Sequence, residues 1–220
     1  MVLNNVAVLE LQTPISQLDK IVIRRLRGLL QRVRMYLRIT QMGPIARRYF
    51  VKNGFDGSMT MLGIIVGSWV VGVERPEIIV TAGLGACLAM GISGLFGAYM
   101  TERAERKRDI KDLEDAMITD LNDSVLTEAS SFVSFYAAIV DGGSPILTAV
   151  ISLVPFAFAL RKSMAIWDAY ILSFILTLIT LFTLGMYLGR IARENMLIYG
   201  VQTLAAGIIT VAIALVLGAI

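Results

Sequence analysis

The sequence predicts an all-α integral membrane protein of five transmembrane helices, with a short cytoplasmic helical segment between the second and third. Apolar runs of about 20 residues, the length a helix needs to cross a bilayer, recur along the chain. Hydrophobic residues make up 56% of the 220, and mean hydropathy is +0.73. Short stretches rich in Arg, Lys, Glu, Pro or Gly separate the runs. Cys87 is the only cysteine and there is no histidine. A disulfide framework within the chain and imidazole or thiolate metal clusters are therefore excluded. Carboxylates, amides, hydroxyls and methionine sulfur remain as donors, which suits a relatively hard divalent cation. No nucleophile and base pair, phosphate loop or cofactor motif occurs, so neither enzyme chemistry nor a bound cofactor is expected.

Residues 1–52 form the first region, a cytoplasmic arm. Within 1–17, Asn4, Asn5, Glu10 and Gln12 interrupt any apolar run and no basic stretch precedes it, unlike a signal peptide. From 17 to 40 the pattern is a basic amphipathic helix. Ile21, Leu26, Leu29, Leu30, Val33 and Leu37 recur at helical spacing among Arg24, Arg25, Arg27, Arg32, Arg34 and Arg38. Beside a membrane protein this is an interfacial helix on anionic lipid rather than a nucleic-acid patch. Gly43 and Pro44 break it.

Residues 53–100 hold the first two spans, about 55–73 and 78–100, joined by the turn Glu74-Arg75-Pro76-Glu77. Residues 101–141 form an acidic cytoplasmic segment, and 142–220 hold the remaining spans. Gly142 and Pro145 open the third, which runs to about 160; 161–165 turn into the fourth, 166–188; and 190–195 lead into the fifth, 196–220. Residues 125–140 are apolar but shorter than a span and contain Glu128, so a helix packed at the interface is expected there, with a half-span as the alternative. With the N-terminus inside, the inner segments hold the N-terminal basic residues, Arg103, Arg106, Lys107, Arg108, Lys111, Arg190 and Arg193, against Arg75, Arg161 and Lys162 outside. That bias places the N-terminus in the cytoplasm and the C-terminus outside, by default across a prokaryotic plasma membrane. A weak repeat relates Asp56-Gly57-Ser58 to Asp141-Gly142-Gly143-Ser144, and Gly97-Ala98-Tyr99-Met100 to Gly185-Met186-Tyr187-Leu188. Two helices per unit would set the copies in parallel.

The second span continues into the charged segment without a helix breaker, since no glycine or proline stands between Thr101 and Gly142. Glu102, Glu105, Asp109 and Asp112 there follow a three, four, three spacing, which at about 100° per residue gathers them on one helix face. Four carboxylates just outside a bilayer form a candidate cation trap, toward which Glu128 is expected to turn. Glu114, Asp115, Asp120 and Asp123 add negative charge. The plainer reading is a solvated helix whose acids pair with interleaved bases, as Glu102 with Arg106 and Arg108 with Asp112. Asp56 is the second candidate. A carboxylate at the edge of a span asks for a partner, a cavity or a cation, or else caps a helix start. Thr60 lies one turn on, and Met59 and Met61 add nearby thioethers. Asp141 and Asp168 read as caps. Gly83, Gly91, Gly94 and Gly97 read as a packing surface within the chain or across a dimer axis.

Asp56-Gly57-Ser58-Met59-Thr60 with Gly67, and Gly91-Ile92-Ser93 followed by Gly97-Ala98-Tyr99-Met100, Glu102 and Glu105, resemble the vacuolar iron transporter family. The resemblance covers about 53–105 closely and the rest by pattern. It implies five spans, a homodimer, and export of Fe²⁺ or Mn²⁺ from the cytosol, in exchange for protons. It also implies a cytoplasmic metal-binding segment containing Glu105, Asp109 and Asp112. The chain departs from the family at Gly94, where a methionine is usual, and at Ala86, where a glutamate is usual. Met90, one turn from Gly94, is the candidate displaced thioether. The expected path residues are thus Asp56, Met59, Thr60 and Met90, with membrane lipid, divalent metal and a second copy as partners. The rival expectation is a membrane scaffold or regulator that binds lipid or a protein through its basic helix and charged loop.

Overall fold

Where turn-forming residues cluster, the helices end. In the computed structural model, residues 27, 28, 30–40, 42–121 and 124–218 are described, and no strand occurs among them. A helix over 30–39, α1, is followed by α2 (Met42–Val70), α3 (Pro76–Met117), α4 (Val125–Leu160), α5 (Ile166–Ala192) and α6 (Met196–Gly218). Gly72 turns the chain after α2 at φ 73°, a conformation glycine adopts without the cost a side chain imposes. Pro76 opens α3, where its missing N–H removes no helix bond. Ile118, Lys162 and Arg193 take left-handed φ just past the ends of α3, α4 and α5. The expected basic helix is seen only over its second half; the arm 1–17 and the positions Ile21, Arg24, Arg25, Leu26 and Leu29 lie outside the described residues.

Four helices, α3 to α6, are long and apolar enough to cross a membrane, and this makes the chain an integral membrane protein. Helix α2, expected as the first span, falls outside that set. The reason lies in its composition. Gly54, Asp56, Gly57, Ser58, Thr60, Gly63, Gly67 and Ser68 dilute its apolar residues. Such a helix suits contact with other helices rather than with lipid, and α2 packs against α3, α4, α5 and α6. Its Met61, Leu62 and Ile65 are almost wholly buried.

The third span also differs from expectation. Gly142 and Pro145 do not open a helix, because α4 runs unbroken from Val125 to Leu160 with Pro145 and Pro155 inside it. Ser124 caps its start, accepting from Thr127 N at 3.3 Å. A proline inside a helix deletes one backbone donor. Ser144, Thr148 and Ser152 each donate back to a carbonyl one turn earlier. The stretch 125–140 is therefore the first half of a long helix. It packs on α1 and the start of α2 through Val133, Ala137, Met42 and Ala46, with Tyr36 and Phe132 ring centroids 5.7 Å apart.

Glycines set the closest helix crossings. A Cβ on Gly57 would lie 2.6 Å from Pro145 Cα, and one on Gly142 would overlap the Gly91 carbonyl and lie 2.9 Å from Leu95 Cβ. Real side chains do not tolerate such approaches to backbone. Gly57→Ala and Gly142→Ala are expected to destabilise the protein by about 1–3 kcal/mol each. Gly63→Ala, with open space around it, is expected to leave it unchanged. Thermal unfolding of the three variants in detergent checks this.

Candidate functional site

Helices α2, α3 and α4 converge on a cleft of about 550 Å³. From α2 it receives Tyr49, Lys52, Asn53 and Asp56; from α3 Met90, Ser93, Gly94 and Thr101; from α4 Asp141 and Pro145. Asp56 is exposed and lies well inside α2, so it is no N-cap. Thr60 Oγ1 donates to the Asp56 carbonyl at 2.8 Å and stands 3.4 Å from Met90 Sδ. Three of the four expected path residues, Asp56, Thr60 and Met90, therefore meet on one side of α2. Met59 does not join them. It packs with Leu62, Val66 and Leu181, and its sulfur lies 4.0 Å from Thr210 Oγ1 on α6.

Asp141 is the residue that sequence reasoning misplaced. Read as a cap on a third span, it instead sits in the interior of α4, 8% exposed, and accepts a hydrogen bond from Asn53 Nδ2. Its Oδ2 would lie 2.9 Å from a Cβ on Gly94, so a side chain there would force the carboxylate to shift. The missed signal was the repeat itself. Both Asp-Gly pairs place the acid on the cleft and the glycine at a helix crossing. Asp168 is likewise no cap. Ala165 occupies the N-cap position of α5 without a side-chain bond, and Asp168 stands in the first turn, where the helix dipole favours an acid.

The charged half of α3 is arranged differently from a closed trap. Glu102 is 5% exposed, accepts from the Tyr49 hydroxyl at 2.8 Å and lies 3.7 Å from Arg106 Nε. Burial first, and then the bond to Glu102, push the Tyr49 phenol up to about 12. At any physiological pH it stays protonated and donates. Asp112 pairs with Arg108 at 3.8 Å, and Glu114 accepts from Leu121 N at 2.8 Å, closing the turn after α3. Glu105 is exposed, while Asp109 lines a separate cavity with Ile39, Thr40, Arg106 and Ser130. Glu128 sits beside Tyr36 on the far side of that packing, and its hydrogen bond raises the Tyr36 pKa. Among the described residues no three of Asp, Glu, Cys or His come together in a metal-binding group. The five expected capture residues share a helix face or a neighbourhood, but one chain does not gather them around a point.

Tyr49→Phe is expected to cost about 1–3 kcal/mol, because it strips a buried carboxylate of its hydroxyl donor. Thermal unfolding should show that loss, while Tyr99→Phe, whose hydroxyl accepts from the exposed Arg103 at 3.2 Å, should leave stability unaltered.

Comparison with known proteins places the chain among relatives. Residues 109–219 match the model of the VIT family. An uncharacterized protein of Methanocaldococcus jannaschii is 29% identical over 174 residues, which cover 78% of this chain and 87% of the relative. The family match spans the charged end of α3 through α6, whereas the motifs of the first two spans lie before it.

Proposed function

The chain belongs to the VIT family, and from that membership we propose that it is a membrane transporter of divalent metal cations, Fe²⁺ or Mn²⁺, that exports them from the cytosol in exchange for protons. The observation that supports this most is the cleft between α2, α3 and α4, where Asp56 and Asp141 supply carboxylate oxygens from facing helices and Met90 a thioether. Oxygen donors with one softer sulfur suit Fe²⁺ or Mn²⁺ better than Ca²⁺ or Mg²⁺, which take oxygen alone. Carboxylates in a membrane path are also the groups able to exchange a cation for a proton, in a chain without histidine. On this reading α2 is a fifth crossing, shielded from lipid by its neighbours. The N-terminus faces the cytoplasm and the C-terminus the outside of a prokaryotic plasma membrane.

Collection of the ion falls to the charged end of α3, with Glu105 and Asp109 as the acids left outside the ion pairs described above. A second copy is expected against α3, whose outer face exposes Leu84, Leu88, Ile92 and Phe96 beside Gly85 and Gly97. Small residues among large apolar ones let membrane helices approach closely. The cleft opens along that same helix through Ser93, Gly97 and Thr101, so a partner there would narrow it.

A second reading, a scaffold or regulator that moves no ion, draws on the pairing of Glu102 with Tyr49 and Arg106 and of Asp112 with Arg108. Flux and binding separate the two. In proteoliposomes, Asp56→Ala and Asp141→Asn are each expected to abolish Fe²⁺ and Mn²⁺ flux, and Met90→Leu to lower it severalfold. Met59→Leu should transport like the wild type. Anaerobic calorimetry should find micromolar binding that Glu105→Ala with Asp109→Ala weakens. Wild-type protein that neither binds nor moves either metal would leave the scaffold reading standing.

A further inference from the structure

Lys52 lines two clefts. One is the cation cleft, which it shares with Asp141 and where its positive charge favours that carboxylate. The other is a groove of about 470 Å³ between the first half of α2 and the last turns of α5. Ile45, Val51, Leu188 and Ile191 give this groove apolar walls, and the exposed Arg47, Arg48 and Lys52 give it a basic rim. Among the described residues, no acidic one lines it. Arg47 donates to the Gly43 carbonyl at 3.3 Å and Arg48 stacks 5.9 Å from the Tyr49 ring centroid. Among the described residues, none of the three cations is in an ion pair.

We propose that this groove holds an anionic phospholipid, its phosphate on Arg47, Arg48 and Lys52 and the top of an acyl chain against Val51, Leu188 and Ile191. Position and charge both call for that occupant. Helix α5 is apolar enough to cross the membrane, so Leu188 and Ile191 in its last turns stand where hydrocarbon gives way to headgroups. Basic pockets between membrane helices at that level suit acidic headgroups. Free phosphate would use the rim and leave the apolar walls bare. The acid closest in sequence to this end of α5, Glu194, is turned away to the Tyr199 hydroxyl at 2.9 Å, while Arg190 adds a further positive charge in the last turn. A consequence rests on the transport reading. A phosphate that engages Lys52 draws its charge from Asp141, so the bound lipid leaves the cation cleft more negative and its hold on a cation stronger.

The test measures lipid directly and needs no metal flux, so its failure is distinct from failure of the transport reading. Purified protein is exposed to phosphatidylglycerol and phosphatidylcholine and the bound lipid is counted by native mass spectrometry. Phosphatidylglycerol should be retained at least about tenfold better. Arg47→Gln with Arg48→Gln should remove that preference, and Leu188→Trp, which fills the apolar wall at a half-exposed position, should lower retention with all charges in place. Arg161→Gln with Lys162→Gln, in the turn between α4 and α5, should change neither. Equal retention of the two lipids, or loss of preference in the Arg161 and Lys162 pair as large as in the Arg47 and Arg48 pair, overturns the proposal. So does displacement of the lipid by inorganic phosphate at equal concentration, which would identify the groove as a site for the phosphate alone.

Discussion

The structure depends on the close approach of α2, α3 and α4, which only residues without side chains permit. Gly57 lies against the backbone of Pro145, Gly142 against the carbonyl of Gly91, and Gly94 against the carboxylate of Asp141. In lipid no hydrophobic force draws helices together, so contact comes from dispersion and hydrogen bonding at short range, and small residues decide where it forms. Here the same contacts that join the helices also place the acids. Because Gly57 and Gly142 follow Asp56 and Asp141, each crossing turns the preceding carboxylate toward the cleft. The packing function of these glycines, expected from composition, thus extends to the position of the charged groups beside them.

Much of this architecture was legible in the sequence, because helix ends are written in local chemistry. The turns at 71–75, 161–165 and 193–195 and the long unbroken helix through 101–117 follow from Gly, Pro and charge against apolar runs. Two features were not legible for the same physical reason. Pro145 reads as a helix opener because its ring removes a donor, yet the packing of α4 against α3 and α2 carries the helix through it. The composition of α2 reads as a span with polar interruptions, and what it does not reveal is that the helix faces other helices on several sides. In both cases tertiary contacts, which a local pattern does not contain, decide the outcome. Asp141 went unrecognised as a site residue through the first of these, since a residue before a helix start reads as a cap. Of the remaining path residues, one-turn spacing was enough to bring Thr60 to Asp56, but only the packing brings Met90 from α3 to Thr60 and separates Met59 from them.

The acids of α3 show where helical spacing stops being informative. Glu102, Glu105, Asp109 and Asp112 do share a face of one continuous helix, as their spacing requires. Their fates diverge with distance from the bundle. Glu102, nearest to it, is buried and tied to Tyr49 and Arg106; Asp112, further out, pairs with Arg108 on an exposed surface where such a pair contributes little. Glu102 therefore acts as a fastening between α3 and α2, and its side chain is already committed. A face of like charges attracts a cation from a distance, but coordination needs groups that are both convergent and free, and those are two separate conditions.

Asp141 exposes the opposing demands on this bundle. A carboxylate 8% exposed among apolar helices is unfavourable by several kcal/mol unless it is neutralised or well paired. Asn53 offers one neutral hydrogen bond, and Lys52 a charge whose side chain is itself exposed and shared with a second groove. Neither meets the full need of a buried anion. A bundle built only for stability would carry an apolar residue at 141, as it does at Ala137 and Ala138 one turn before. The carboxylate is thus an element of the cleft that the fold tolerates rather than uses, and the side it leaves unmet is the one that opens into the cleft.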